Sequence, residues 1–144
     1  MQEIVKKYAK LLVNYCLAVK KDDKIYINSS YLAEPLLREV AREIYLAGGH
    51  PIFNIELNGV NDSLLEVGEE HQLLWVNPMK KLAFETFDAY LNIRAPFHRG
   101  DGDVEPAHPE KFKLFQQGQH ELNKLYIERI GNGSMRRCLC QYHT

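Results

Sequence analysis

The densest group of chemistry-bearing residues lies at the end of this 144-residue chain, in "GSMRRCLCQYHT", where Cys138 and Cys140 stand two apart and His143 follows. Thiolates and imidazoles are zinc ligands when they converge at about 2.0–2.3 Å on one ion. A strand splits them, because side chains alternate between its faces. Cys138, Cys140 and Tyr142 then share one face, and Leu139, Gln141 and His143 the other. A metal centre would need the strand to unravel, so the expectation is no metal here, with cysteine as a small apolar filler. A second group, Asp101, Asp103 and Glu105 in "RGDGDVEPAH", is similar to the start of a calcium loop. It lacks the twelfth-position glutamate and the flanking helix pair, and reads as a solvated loop.

The third group is Ser29 and Ser30 in "INSSYLAEP", with Arg94 ending "AYLNIRAP". Strand-to-helix turns at the C-terminal ends of parallel strands are where α/β folds bind ligands. A crevice near Ser29, Ser30 and Arg94 could therefore hold a small anion, although no glycine-rich phosphate loop is present. A helix cap by either serine is the competing role, and a surface ion pair the competing role for Arg94. The histidines at 50, 71, 98, 108, 120 and 143 form no H-E-x-x-H. Glu69-Glu70-His71 reads as a solvated helix face. No Ser-His-Asp or Cys-His arrangement follows from spacing, so no catalytic residue is assigned.

The elements that position these groups can be read from periodicity. Ile4, Tyr8, Leu11, Leu12, Tyr15 and Val19 recur at helical spacing and predict an amphipathic helix over 3–18. "KIYINSS" reads as a strand at 24–29. Pro35 then opens a helix with Leu36, Leu37, Val40, Ala41, Ile44 and Ala47 on one face, and Gly48-Gly49 ends it. "HPIFNIEL" predicts a strand at 51–57, completing a βαβ unit with parallel strands and a right-handed crossover. Ser63-x-x-Glu66 has the form of a capping box for a helix through Val76. Asn77-Pro78 restarts a short helix. A third strand follows at 89–94, then a long helix from Pro109 with Phe112, Phe115, Leu122, Leu125 and Tyr126 inward. Gly131-Asn132-Gly133 closes it before a fourth strand at 136–142. The order predicts one α/β domain over 1–144: three layers, a largely parallel sheet of about four strands and helices on both faces, Rossmann- or flavodoxin-like.

Composition narrows the function classes. With 18 basic against 19 acidic residues the net charge is −1, which gives no electrostatic footprint for nucleic acid. No apolar run approaches the roughly 20 residues of a membrane helix. "MQEIVKKYAK" lacks a signal peptide's apolar stretch, and an odd three cysteines suit a reducing compartment. The expectation is a cytoplasmic protein.

"YAKLLVNYCLAVKKDDKIYINSSYLAEPLLREVAREIYLAGGHP" resembles the opening of the aminopeptidase T / aminopeptidase S family, metal-dependent aminopeptidases also called thermophilic metalloproteases. The family shows "LLVxYxL", a "V-K-x-G-D-K" turn and "AEPLxRExxREAxxAGxHP"; Asp23 is read at the usual glycine of that turn. "FDAYLNIRAP" is similar to the family's third strand. "HPEKFKLFQQ" is similar to its "D-P-E-K" helix start, with His108 for aspartate. "ERIGNGSMRRCLCQYHT" is similar to "RxGxGxLRWxLxxYPT", with Arg137 for tryptophan and His143 for proline. The resemblance covers almost the whole chain but only the family's N-terminal, non-catalytic domain. It implies two divalent metal ions (cobalt, zinc or manganese) on Glu, His, Asp and Tyr ligands of a C-terminal catalytic domain absent from this chain. No cofactor or catalytic residue is therefore carried over.

Two functional classes follow as expectations. In the first, the chain is a truncated aminopeptidase fragment, inactive alone, whose partner is the missing catalytic domain and whose peptide substrate belongs to the full-length form. In the second, it is a stand-alone small-anion-binding module, or a structural remnant without ligand. Because Cys138, Leu139, Cys140 and Tyr142 make the fourth strand apolar on both faces, self-association as a dimer or larger homo-oligomer through that strand or the surface beside it is also expected.

Overall fold

The computed structural model describes residues 2–97 and 108–142. Four strands, β1 (Lys24–Ser30), β2 (His50–Glu56), β3 (Ala89–Arg94) and β4 (Arg136–Gln141), form one sheet in the order β2-β1-β3-β4. Every neighbouring pair is parallel. The strand positions read from the sequence hold to within a residue at each end.

Among the described residues, six α-helices surround the sheet: α1 (Gln2–Lys10), α2 (Glu34–Leu46), α3 (Val60–Val67), α4 (Glu70–Leu73), α5 (Pro78–Thr86) and α6 (Pro109–Gly131). On one face Ile25, Ile27, Leu91 and Ile93 of the central strands meet Leu36, Leu37, Val40 and Ile44 of α2, together with Ala9, Leu12, Val13 and Leu17. On the other, Tyr26 and Tyr90 meet Ala83 and Phe84 of α5 and Leu122 of α6. This second core is aromatic, with Tyr26 and Tyr90 stacked at 5.8 Å and Phe84 edge-on to both. β1 and β3 are apolar toward both layers because helices cover both of their faces, as parallel strands require.

Local signals explain most boundaries. Pro35 and Pro109 sit in the first turns of α2 and α6. Asn77 caps α5 by accepting the Met79 N–H at 2.9 Å. Gly48, at φ +87°, supplies the left-handed residue that stops α2.

Four local expectations are corrected. The first helix does not run to 18 with one face: past Lys10 it widens into a π-helical stretch, Leu11–Cys16, closed by Leu17 N–H to Leu12 O at 2.9 Å. The wider turn shifts the phase, so Ala9, Val13 and Leu17 point inward while Ile4, Leu11 and Tyr15 are exposed. The Ser63 box does not form. α3 starts earlier, behind Gly59, and Ser63 Oγ donates back to Gly59 O at 3.0 Å. The capping box belongs to Glu69 and Gln72, which open α4 after a break at Gly68. In the "KKDD" turn the left-handed residue is Asp22, at φ +64°, so Asp22 and not Asp23 stands where glycine would. Asp23 instead accepts the Lys20 N–H at 2.8 Å and pairs with Arg136 of β4.

Candidate functional site

The sheet order places a reversal between β1 and β3: the chain leaves β1 toward β2 on one side, and β3 lies on the other. The connections diverge there, leaving a crevice beyond the strands' C-terminal ends. A cleft of about 420 Å³ occupies it, lined by Ser29, Ser30, Arg94, Glu56, Asn28 and Asn92 among others. The three residues singled out from the sequence thus converge on one place.

Neither serine is a cap. The short 3₁₀ turn Tyr31–Ala33 and α2 begin without a side-chain cap bond. Ser30 Oγ donates to Ala95 O at 2.6 Å, tying the end of β1 to the end of β3. Ser29 is buried, and its hydroxyl has no hydrogen-bond partner among the described residues. Asn28 Oδ1 accepts from Asn54 Nδ2 at 2.7 Å, which holds the polar floor of the cleft across β1 and β2. Asn92 sits level with Asn28 on β3. Arg94 is exposed, and among the described residues no ion pair involves it. Sequence reasoning missed Asn28, Asn54, Asn92 and Glu56. Only the register of three strands brings them together.

The cysteines behave as a packed group. Cys138, Cys140 and Tyr142 lie against the α1/α2-side core on one face of β4, as alternation predicts. Cys16, at the end of the π stretch, neighbours the Cys138 thiol. Burial first, then the neighbouring thiols, push Cys138 up to about 11. Burial also raises Cys140. Tyr8, beside Cys140, is pushed up to about 12, again chiefly by burial. These shifts favour neutral groups, the opposite of what a metal ligand or nucleophilic thiolate requires. Among the described residues no three of His, Cys, Asp and Glu are grouped so as to hold a metal ion. His143, His98 and the Asp101, Asp103, Glu105 group lie outside the described residues. Among the described helices none is long and apolar enough to cross a membrane.

Fold and site together define an α/β module with a polar cleft at its switch point. The chain belongs to the thermophilic metalloprotease family (M29), whose model matches residues 1–144. Its fold is similar to that of wild-type AmpT from Thermus thermophilus, with a TM-score of 0.71 at 18% identity over 98% of this chain. The chain spans only 36% of that protein's length. No curated protein matches it.

Proposed function

We propose that this chain is the N-terminal, non-catalytic portion of a cytoplasmic metal-dependent aminopeptidase, shaping substrate access and assembly around the portion that holds the metals. The observation that carries this reading is the family match over residues 1–144, joined to a fold match that covers little more than a third of AmpT. Hydrolysis of a peptide bond by a metallopeptidase needs a polarised carbonyl and an activated water. The described residues offer no ligand group for such an ion, so no step of the reaction is placed on them. The two divalent ions and the peptide site belong, in this reading, to the other portion.

Leucine p-nitroanilide with added cobalt, zinc or manganese tests it. The chain alone should give no turnover above blank. Mixed with the metal-holding portion of a family member, it should raise that portion's turnover. Turnover that co-purifies with the chain and changes with point substitutions in it would refute the reading. A second reading, small-anion binding, is supported by the convergence of Ser29, Ser30 and Arg94 on one cleft. Titration with inorganic phosphate, followed by calorimetry, should then show saturable binding that Arg94→Ala abolishes.

A further inference from the structure

The register that builds the cleft also sorts its chemistry. Tyr26 and Tyr90 face the aromatic core under α5 and α6. Residues two apart on a strand share a face, so Asn28 and Ser30 on β1, and Asn92 and Arg94 on β3, continue that face past the aromatic core. Asn54 and Glu56 join them from β2, since Asn28 is level with both Asn54 and Asn92, and Ser30 with Glu56. Two polar rows therefore cross three strands: Asn54, Asn28, Asn92, and beyond them Glu56, Ser30, Arg94. The two charges of this grid, one of each sign, stand at opposite ends of the outer row, and both line the cleft.

Much of this polarity is left over by the fold. Among the described residues, no hydrogen bond or ion pair involves the side chain of Arg94 or of half-buried Asn92. Asn54 Nδ2 donates to Asn28 Oδ1 at 2.7 Å, which leaves the Asn28 amide donors and the Asn54 carbonyl unused. Glu56 Oε1 accepts from Asn61 Nδ2 at 3.2 Å, a bond that orients the carboxylate and leaves Oε2 without one among the described residues. Ser30 acts on the fold instead: its bond to Ala95 O at 2.6 Å pins the end of β3 beside β1 and fixes the gap between Glu56 and Arg94. That gap is two strand spacings, about 9.5 Å between backbones. No ion pair among the described residues closes it.

We propose that this grid binds a dipeptide as its zwitterion, with the free ammonium at Glu56, the free carboxylate at Arg94 and the peptide group over the asparagine row. Each part meets its complement. A guanidinium takes a carboxylate with two parallel N–H donors, and a carboxylate takes an ammonium by charge-assisted hydrogen bonds. Asparagine amides donate to a peptide carbonyl and accept from its N–H. Length selects as well: an extended dipeptide spans at most about 7 Å, which with a hydrogen bond matches the gap, whereas one amino acid spans at most about 3.5 Å. The cleft, of about 420 Å³, has room for it, within the range of about 300–1,000 Å³ usual for small-molecule sites. The proposal rests on the anion-binding reading of the same cleft, with Arg94 as the anion's ligand, and adds to it a second charge and a spacing. It does not rest on peptide hydrolysis.

An amide NMR titration of the full chain with Ala-Ala tests it, because the side-chain amides of Asn28, Asn54 and Asn92 report on the site itself and the backbone pattern confirms folding of each variant. Those three resonances should shift and saturate. N-acetyl-Ala-Ala, which lacks the ammonium, and Ala-Ala-amide, which lacks the carboxylate, should bind roughly tenfold more weakly. Glu56→Gln, which keeps an acceptor for Asn61, should weaken Ala-Ala by about tenfold and leave N-acetyl-Ala-Ala unchanged. Arg94→Gln should weaken Ala-Ala to the same degree and leave Ala-Ala-amide unchanged. Ala-Ala that leaves the three side-chain amides unmoved overturns the proposal. So does an equal loss of free and acetylated peptide in Glu56→Gln, since Glu56 would then act only on the fold. Alanine binding as tightly as Ala-Ala overturns the assigned length. Inorganic phosphate separates the two readings: phosphate binding that Arg94→Ala abolishes, without binding of Ala-Ala, overturns the dipeptide and keeps the anion, and failure of both ligands removes the anion reading as well.

Discussion

Arg129 carries more of the fold than any residue singled out from the sequence. Its guanidinium donates to Phe84 O at 3.0 Å, to Phe87 O at 2.7 Å and to Ser134 O at 3.0 Å. One side chain at the end of α6 thus satisfies the last carbonyls of α5 and the turn that leads into β4. Five donors in a rigid fork suit this; a lysine would reach one or two of these acceptors. Arg129→Ala should destabilise the protein by about 2–3 kcal/mol, the scale of charged hydrogen bonds lost with partly buried carbonyls left unpaired, and Arg129→Lys should recover little. Urea denaturation of both variants measures this. The thiols and phenols give a second expectation. Cys138 at about 11 and Tyr8 and Tyr90 at about 12 all bind protons more tightly in the fold than in the unfolded chain. Their contribution is complete below about pH 9 and drains away as pH rises through the folded values. Stability should therefore fall between roughly pH 9 and 12, and a thiol-reactive dye should label exposed Cys16 well before Cys138 or Cys140.

Elements whose ends are set by near neighbours in sequence were legible. Pro35, Asn77, Pro109 and the glycines after α2 and α6 act within a turn of themselves, and the periods of 2 and 3.6 separate β1 from α2 without tertiary information. Ser63 misled because a serine hydroxyl has two local uses, cap and back-bond to the previous turn, and Gly59 had already begun the helix. The π stretch was not legible, because no residue type in Leu11–Cys16 marks it; it goes with the burial of Val13 and Leu17 in the core shared with α2. Gly118 is another case of packing deciding. A Cβ there would come within 2.8 Å of Leu74 Cα and 2.9 Å of Leu73 O, so α6 crosses α4 where only glycine fits. Alanine improves helix propensity by about 1 kcal/mol, but backbone cannot yield as a side chain can. Gly118→Ala should lower the melting temperature by several degrees, whereas Gly131→Ala, with nothing within 4 Å, should not.

At the scale of the molecule, the class of fold and the place of the cleft were readable, since strand–helix alternation predicts a parallel sheet and a parallel sheet predicts where its crevice lies. The floor of that crevice was not. Asn28, Asn54 and Asn92 come from three strands, and nothing in the chain order says that they share a level. The same gap hid the meeting of Cys16 with Cys138. It also hid which apolar residues of the β4 edge are covered: Cys138 and Cys140 face the core, and Leu139, at 49% exposure, is the apolar residue that looks outward. β2, at the opposite edge, leaves Ile52, Phe53 and Ile55 between 38% and 40% exposed.

The pairing of Asp23 with Arg136 joins residues 113 apart. It clasps the turn before β1 to β4, whose one strand neighbour among the described residues is β3. Contacts that close so long a loop form late, after the cost in chain entropy has been met by nearer ones. The clasp acts as a latch on the finished domain. Removing it with Arg136→Ala should speed unfolding severalfold while leaving the refolding rate almost unchanged, a signature readable in the two arms of a stopped-flow chevron.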